Sequence, residues 1–198
     1  MPDLRKMNLG DLASVVNVHL ASFTGFFLSS MGDRFLQEFY KSVLLDETHI
    51  AYVFPNAEDI SGFVVGTTQP AGLYKRVLKS NLVNFLVSSI PVVMKDPFVA
   101  LRLMRRIRMA HGMAFEADYA LLMSIAVDPN EQGKGIGARL VDAFLQDARE
   151  RGCLGVVLTT DARDNDPANY FYLRRGFNLS CTFVTSEGRE MNEYMIQL

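Results

Sequence analysis

Hydrophobic residues in the first third of the chain recur at two spacings, one typical of helices and one typical of strands. Residues 11–22 and the stretch that begins at Gly32-Asp33 carry apolar residues three and four positions apart, which places those residues on one helical face. Shorter apolar runs bounded by turn residues favour strands over Leu4–Met7, His49–Pro55 and Ile60–Thr68. This part of the chain therefore predicts the order strand, helix, helix, strand, strand.

The next region, residues 70–112, also has helical spacing. Pro91 ends one predicted helix, and Asp96-Pro97 begins the next, because aspartate caps a helix and proline suits its first turn. These helices carry a basic face made of Lys75, Arg76, Lys79, Lys95, Arg102, Arg105, Arg106 and Arg108. A solvated face is the favoured interpretation, and a surface for an anionic substrate or a membrane is the alternative.

The remaining chain alternates between buried strands and helices. The continuous apolar run Tyr119–Val127 is typical of a strand covered on both faces, and an amphipathic helix follows it. The predicted elements after this strand are a helix over Ala138–Arg151, a strand over Leu154–Thr160, a helix over Asn169–Arg175 and a hairpin that pairs Phe177–Val184 with Tyr194–Leu198. The pattern predicts an α/β (α+β mixed) fold, in which a mixed sheet has helices on both faces.

Length and composition narrow the class of protein. With 198 residues, of which 49% are hydrophobic, we expect one domain over 1–198 with an extra helical segment at about 70–112. The 20 basic and 22 acidic residues give a net charge of -2, so nothing in the overall charge points to a nucleic-acid partner.

The sequence shows no clear targeting segment and no cysteine motif. No apolar segment follows the N-terminus, and the most hydrophobic stretch, 82–94, is shorter than a membrane-spanning helix. Cys153 and Cys181 have no metal-type spacing and are expected to be buried thiols. We expect a cytoplasmic protein with no bound metal and no membrane contact.

The segment from Val127 to Gly137 is the most informative for function. It joins a buried strand to a helix and contains Gly133, Gly135 and Gly137. Glycines allow backbone N–H groups to approach a ligand, and a helix N-terminus adds unpaired donors and a positive dipole end. Such a turn can hold an anion such as a pyrophosphate, although it can also serve only to pack the helix on the strand.

Two familiar glycine motifs were compared with this segment. A P-loop needs Gly-Lys-Ser/Thr, whereas Ile136 follows Gly135. A dinucleotide fingerprint needs Gly-x-Gly-x-x-Gly, and here the third glycine comes one residue too early, although Asp161 follows the next strand. The sequence therefore disfavours both motifs, and nucleotide-phosphate binding stays a weak alternative.

Two separate blocks resemble one known family. Gln132-Gly133-Lys134-Gly135-Ile136-Gly137, after Val127-x-Pro129, is similar to the acyl-CoA signature of the GCN5-related N-acetyltransferases (GNAT). Asn165-Asp166-Pro167-Ala168, followed by Phe171 to Phe177, is similar to the second conserved element of that family. The resemblance implies a mostly antiparallel mixed sheet and direct acetyl transfer from acetyl-CoA to an amine.

The resemblance also implies where the donor binds. The pyrophosphate of the donor would lie on the backbone of Gln132, Gly133, Lys134, Gly135, Ile136, Gly137 and Ala138. The pantetheine arm would add to the preceding strand through backbone groups of Ile125 and Val127. Asn165 resembles the family asparagine that contacts CoA, and a turn-forming role is its alternative.

The same resemblance implies the catalytic acid but leaves the base open. Tyr172 occupies the position of the family's general acid, and a phenol with pKa near 10 can protonate a departing thiolate; its alternative role is a core aromatic. Many family members carry a glutamate on the strand before the glycine turn, but this strand carries Met123, Ser124 and Ile125. Three residues are candidates for the base, although each is more readily interpreted as part of a solvated strand end: Glu116, His111 and Asp161. Two other histidines, His19 and His49, are expected to be structural, with their ring nitrogens hydrogen-bonded.

The acceptor is expected to be a small-molecule or peptide amine. Phe26 and Phe27 lie in a turn that could line its pocket, and core packing is the alternative. A non-catalytic acyl-CoA-binding or regulatory module of the same fold is the second hypothesis for function. A homodimer is compatible with the sequence.

Overall fold

The structure is a computed structural model that describes residues 4–57, 59–73, 75–77, 84–85, 87–89, 94, 118–185 and 188–198, apart from the side chain of Phe27. Within those residues one seven-stranded sheet has the order β1-β2-β3-β4-β5-β7-β6. Its strands are β1 (Arg5–Lys6), β2 (His49–Pro55), β3 (Ile60–Thr67), β4 (Tyr119–Val127), β5 (Gly155–Asp161), β6 (Asn178–Val184) and β7 (Glu190–Gln197). Strands β4 and β5 are parallel, and the other neighbouring pairs are antiparallel. The predicted fold class is therefore confirmed.

Helices cover both faces of this sheet, as the sequence predicts. The α-helices of the described chain with continuous bounds are α1 (Leu12–Ser22), α2 (Phe27–Ser30), α3 (Asp33–Leu44), α4 (Ile136–Glu150) and α5 (Asp166–Arg174), and short 3-10 helices cover Leu9–Asp11 and Pro129–Glu131. Buried side chains of α1 and α3 form one hydrophobic core with the sheet, and those of α4 form a second core with Tyr172 of α5.

Three predicted boundaries are wrong, each for a local reason. Helix α4 begins at Ile136 because Gly135 takes a left-handed conformation (φ 77°) and turns the chain into the helix. Helix α5 begins at Asp166, since Pro167 is tolerated in a first turn, where its missing N–H group is not needed. Strand β7 begins at Glu190, which pairs with Val184, so the hairpin is longer than its apolar residues indicate.

A bulge and a splay shape the centre of the sheet. Val65 pairs with Ser124 and Gly66 with Leu122, so Met123 is an extra residue in β4. The bulge reverses the alternation of side chains, and Leu122 and Ala126 therefore contribute to opposite cores. On its other edge β4 pairs with β5 only as far as Leu121, opposite Val157. Beyond that pair the two parallel strands separate.

The predictions for the cysteines and the basic segment have different outcomes. Cys153 is half-buried and Cys181 is exposed on the edge strand β6, so the prediction of two buried thiols is wrong.

Arg76 forms an ion pair with Asp46 (2.7 Å), and Lys75 is exposed. The other basic residues of the 70–112 segment lie outside the described residues. No helix in the part of the chain that the structure covers is long and apolar enough to cross a membrane.

Candidate active site

A cavity of about 360 Å³ lies at the gap between β4 and β5. Its walls come from five parts of the described chain: both separating strands, the C-terminal part of α1 with the loop after it, helix α5, and the hairpin of β6 and β7. The gap exists because β4 and β5 stop pairing after Leu121. A ligand can therefore reach backbone groups that a continuous sheet would occupy.

The backbone of β4 at Ile125 and Val127 faces this gap. The N–H group of Asp128 donates to the carbonyl of Ser61, so Asp128 faces the β3 side. Backbone groups of successive strand residues point to opposite edges, which directs those of Val127 and Ile125 toward the gap. The Val127 carbonyl accepts a hydrogen bond from the Ser22 hydroxyl (3.2 Å). Both predicted residues therefore present main-chain groups where an extended ligand could pair.

The glycine turn leads from β4 into α4. Asp128 caps the short helix Pro129–Glu131 by accepting from the N–H group of Asn130 (2.8 Å). Gly133 and Gly135 have φ values of 76° and 77°, a region that L-residues with side chains rarely adopt. No side chain caps helix α4, so its first N–H groups, at Ile136, Gly137 and Ala138, remain available to an anion.

Side chains of the turn contribute little direct charge. Gln132, Gly133, Lys134 and Gly135 are exposed, and Ile136 is buried as an anchor in the core of α4. The Lys134 ammonium pairs with the Glu131 carboxylate at 2.9 Å. What the turn offers to an anion is therefore backbone donors rather than side-chain charge.

Asn165 precedes helix α5 and lines the cavity. Its side-chain NH₂ group donates to the Thr160 hydroxyl (2.7 Å), and its main-chain carbonyl accepts from the main-chain N–H group of Asn169 (3.1 Å). The residue therefore ties the end of β5 to the start of α5, which agrees with the alternative, turn-forming role. It also lines the cavity, where the expected CoA contact would be made.

Tyr172 lies on α5 and lines the same cavity. Its ring packs against Phe171, Phe177 and Tyr194 in the core behind α5. Burial raises the pKa of its phenol, so the hydroxyl stays protonated at neutral pH. The ring is therefore a core aromatic, as the alternative role has it, and the residue also borders the gap.

His19 does not meet the expectation of a structural histidine whose ring nitrogens are hydrogen-bonded. It is 4% exposed, and its Nδ1 atom lies 2.7 Å from the Tyr40 hydroxyl. Its Nε2 atom is buried and has no hydrogen-bond partner in the described structure. Burial lowers the pKa of His19 to about 4, so this wall of the cavity is uncharged at neutral pH. His49 does meet the expectation, since its ring pairs with the Asp46 carbonyl.

Asp161 is not a free carboxylate. Arg189, in the turn before β7, donates to both of its oxygens at 2.6–3.1 Å. The same guanidinium lies 4.8 Å from the ring centroid of Phe26, which lines the cavity as predicted. The other base candidates, His111 and Glu116, and the side chain of Phe27 lie outside the described residues.

Sequence reasoning missed Arg189 and Met191 as cavity residues. They follow the hairpin turn, 28 and more residues after the end of β5, and no local motif marks them. The predicted hairpin is the one sequence feature that could have indicated them. Its second strand, β7, pairs with β5, and this pairing brings the start of β7 to Asp161. No three His, Cys, Asp or Glu residues within the described ranges are grouped to hold a metal ion.

The parallel strands β4 and β5 separate between a glycine turn at one end and Tyr172 across the gap, an arrangement that fits an acyltransferase of the N-acetyltransferase type. A model of the Acetyltransferase (GNAT) family matches residues 12–177. The chain belongs to this family, and the resemblance of its sequence motifs is confirmed.

Solved structures share the fold at low sequence identity. A GNAT-family protein from Desulfovibrio desulfuricans is 19% identical, with 98% of each chain covered and a TM-score of 0.66. The ribosomal-protein-S18-alanine N-acetyltransferase of Escherichia coli is 15% identical, with 100% of this chain and 94% of that chain covered and a TM-score of 0.62. The PaiA N-acetyltransferase of Thermoplasma acidophilum, solved with coenzyme A, is 14% identical, with 96% of each chain covered and a TM-score of 0.59. No curated protein sequence matches this chain.

Proposed function

We propose that this protein transfers the acetyl group of acetyl-CoA directly to a primary amine. The observation that carries the proposal is the cavity at the β4–β5 gap, which is bordered by the free backbone edge of β4 and by Tyr172. The family match supports acyl transfer, and the geometry of the gap supports a donor held in extended form beside β4.

The donor would be held mainly by main-chain groups. The pyrophosphate would bind the N–H groups of 132–138, where the positive end of helix α4 favours a negative charge. The pantetheine arm would pair with Ile125 and Val127, and Asn165 lies beside its path. The Val127 carbonyl already accepts from Ser22, so pairing there would displace or share that hydrogen bond.

Tyr172 would act as the general acid. The neutral amine attacks the thioester carbonyl carbon, a C–N bond forms, and the C–S bond then breaks. Tyr172 donates its proton to the departing sulfur, the nitrogen loses one proton to water, and the phenolate regains a proton from solvent. The position of Tyr172 beside the gap supports this role, and its hydroxyl is protonated at neutral pH. Burial raises the pKa of the phenol, which makes it a weaker acid, so the support comes from position and not from acidity.

The structure favours no described side chain as a dedicated base. Both oxygens of Asp161 accept from Arg189, and Met123 and Ser124 occupy the part of β4 where many family members carry a glutamate. This feature is also what favours a second candidate, a non-catalytic module that binds acyl-CoA.

The two candidates differ in CoA release. Purified protein with acetyl-CoA and a panel of primary amines should release free CoA, detected with a thiol reagent, and should form an N-acetyl product detected by mass spectrometry. Tight binding of acetyl-CoA by calorimetry without product from any amine would favour the binding module. No binding of acetyl-CoA would contradict both candidates.

A further inference from the structure

The charges in the cavity wall cancel. Among the described lining residues, the ionic groups are Asp161 and Arg189, and they pair with each other through both carboxylate oxygens. The pair is held from a second side, because Arg189 also lies over the ring of Phe26. Moving Arg189 away to expose the Asp161 carboxylate would therefore break both the ion pair and the cation–π contact.

The other titratable groups that line the described cavity, His19 and Tyr172, are neutral. His19 on α1 faces the cavity with a pKa of about 4, and burial raises the pKa values of Tyr172 on α5 and of Tyr40, the partner of His19 on α3. None of these groups offers a negative charge at neutral pH. The part of the cavity that the structure describes therefore has no net charge to balance an ammonium ion.

An ammonium group that enters such a site loses hydration without gaining a counter-ion. Moving an unpaired charge from water into a low-dielectric site costs several kcal/mol, and the group deprotonates instead. The acceptor nitrogen must also be neutral before it can attack. Because no described base removes its proton, amines that are already neutral in solution have the advantage.

The cavity walls also specify the body of the acceptor. Phe23, Phe26 and Leu28 from the chain after α1, and Met191 from β7, form an apolar wall on the side of the Asp161–Arg189 pair. A polycation would find hydrocarbon there rather than carboxylates. An apolar group attached next to the amine would be desolvated favourably.

We infer that the acceptor is a weakly basic α-amino group on an apolar residue, as in an amino-acid amide or a peptide N-terminus, and not an alkylamine or a polyamine. This inference rests on the proposed function. An α-amino group has a pKa of about 7.7–8.0 and an alkylamine such as the lysine side chain about 10.4, so near pH 7 their neutral fractions differ by more than about 100-fold.

Two amines with the same phenylethyl body provide the test. The rate constants kcat/KM of wild-type protein for phenylalaninamide and phenethylamine are measured with acetyl-CoA near pH 7 and near pH 9. We expect phenylalaninamide to be favoured by about tenfold or more near pH 7, and the phenethylamine rate to rise by up to tenfold for each pH unit as its neutral fraction grows. Lysinamide carries both an α-amino group and an ε-amino group, so it compares the two kinds of amine within one molecule. Mass spectrometry should locate the acetyl group on its α-nitrogen.

Arg189→Gln tests the cause, because it frees the Asp161 carboxylate. This variant should increase kcat/KM for phenethylamine relative to phenylalaninamide near pH 7, and Asp161→Asn in the same protein should abolish that gain. Equal or better use of phenethylamine by the wild type near pH 7, or acetyl on the ε-nitrogen of lysinamide, would overturn the inference and leave acetyl transfer standing. If none of the three amines releases CoA but another amine of the panel does, the inference is wrong and acetyl transfer stands. If no amine of the panel releases CoA, the proposed function itself is contradicted.

Discussion

The Nδ1 atom of His19 lies 2.7 Å from the Tyr40 hydroxyl, and this hydrogen bond joins helix α1 to helix α3 inside the protein. The second ring nitrogen is buried without a partner in the described structure. Protonation of His19 would therefore place a charge in the core without a described group to balance it. We therefore expect the stability of the protein to depend on keeping this histidine neutral.

We predict that His19 makes the protein less stable in acid. Its pKa is about 4 in the folded protein and about 6.5 in the unfolded chain, so the unfolded state binds the extra proton between these values. The free energy of unfolding should fall by up to about 3 kcal/mol as the pH drops from 6.5 to 4. Urea unfolding at a series of pH values measures this slope.

His19→Gln isolates the contribution of the histidine. The variant is expected to be less stable than the wild type at neutral pH, and its loss of stability between pH 6.5 and 4 should be smaller by that same amount. Parallel pH dependences for the two proteins would show that His19 is not buried in its neutral form.

Gly135→Ala should weaken donor binding more than it weakens folding. The left-handed φ of 77° makes alanine strained there by about 1–2 kcal/mol, and relief of that strain would turn the first N–H groups of α4 away from the anion. Gly152→Ala is the matched control, because Gly152 has a φ of 79° and open space at the other end of α4.

Calorimetric titration with CoA distinguishes the two glycine variants. Both should lose similar unfolding free energy, and only Gly135→Ala should lose CoA affinity. Equal CoA affinity in both variants would contradict the assignment of the anion site to this turn.

Much of the fold follows from the sequence because its signals are local. The continuous apolar run Tyr119–Val127 correctly predicts β4, and the stripe of Phe35, Phe39 and Val43 correctly predicts α3. The glycine turn and Tyr172 are also local motifs. The Asp161–Arg189 pair and the unsatisfied nitrogen of His19 depend on contacts between distant segments, which residue spacing does not reveal.

Gly66 is a residue whose importance appears only in the packing. A Cβ atom at this position would meet the Leu121 carbonyl and lie 2.6 Å from the Phe144 ring of α4. Gly66→Ala should therefore destabilise the protein by about 1–3 kcal/mol or more through overpacking. Thermal unfolding measures this loss.

Gly137→Ala serves as the comparison for Gly66→Ala. A Cβ atom there would make ordinary contacts at 3.7 Å with Phe171 and Val127, and alanine favours a helix over glycine by up to about 1 kcal/mol. The substitution should leave stability unchanged or raise it. A tolerated alanine at position 66 would mean that α4 packs less closely on β3 than the structure shows.

The role of Tyr172 in transfer is the central claim, and a single-turnover experiment with Tyr172→Phe tests it most directly. Acetyl-CoA is bound first, an amine accepted by the wild type is added, and the N-acetyl product is followed by mass spectrometry; Tyr170→Phe, at an exposed position on the same helix, is the control. We predict equal acetyl-CoA affinity in all three proteins and a product rate that falls by about 10²–10⁴-fold only in Tyr172→Phe. A product rate in Tyr172→Phe equal to that of the wild type would contradict the account.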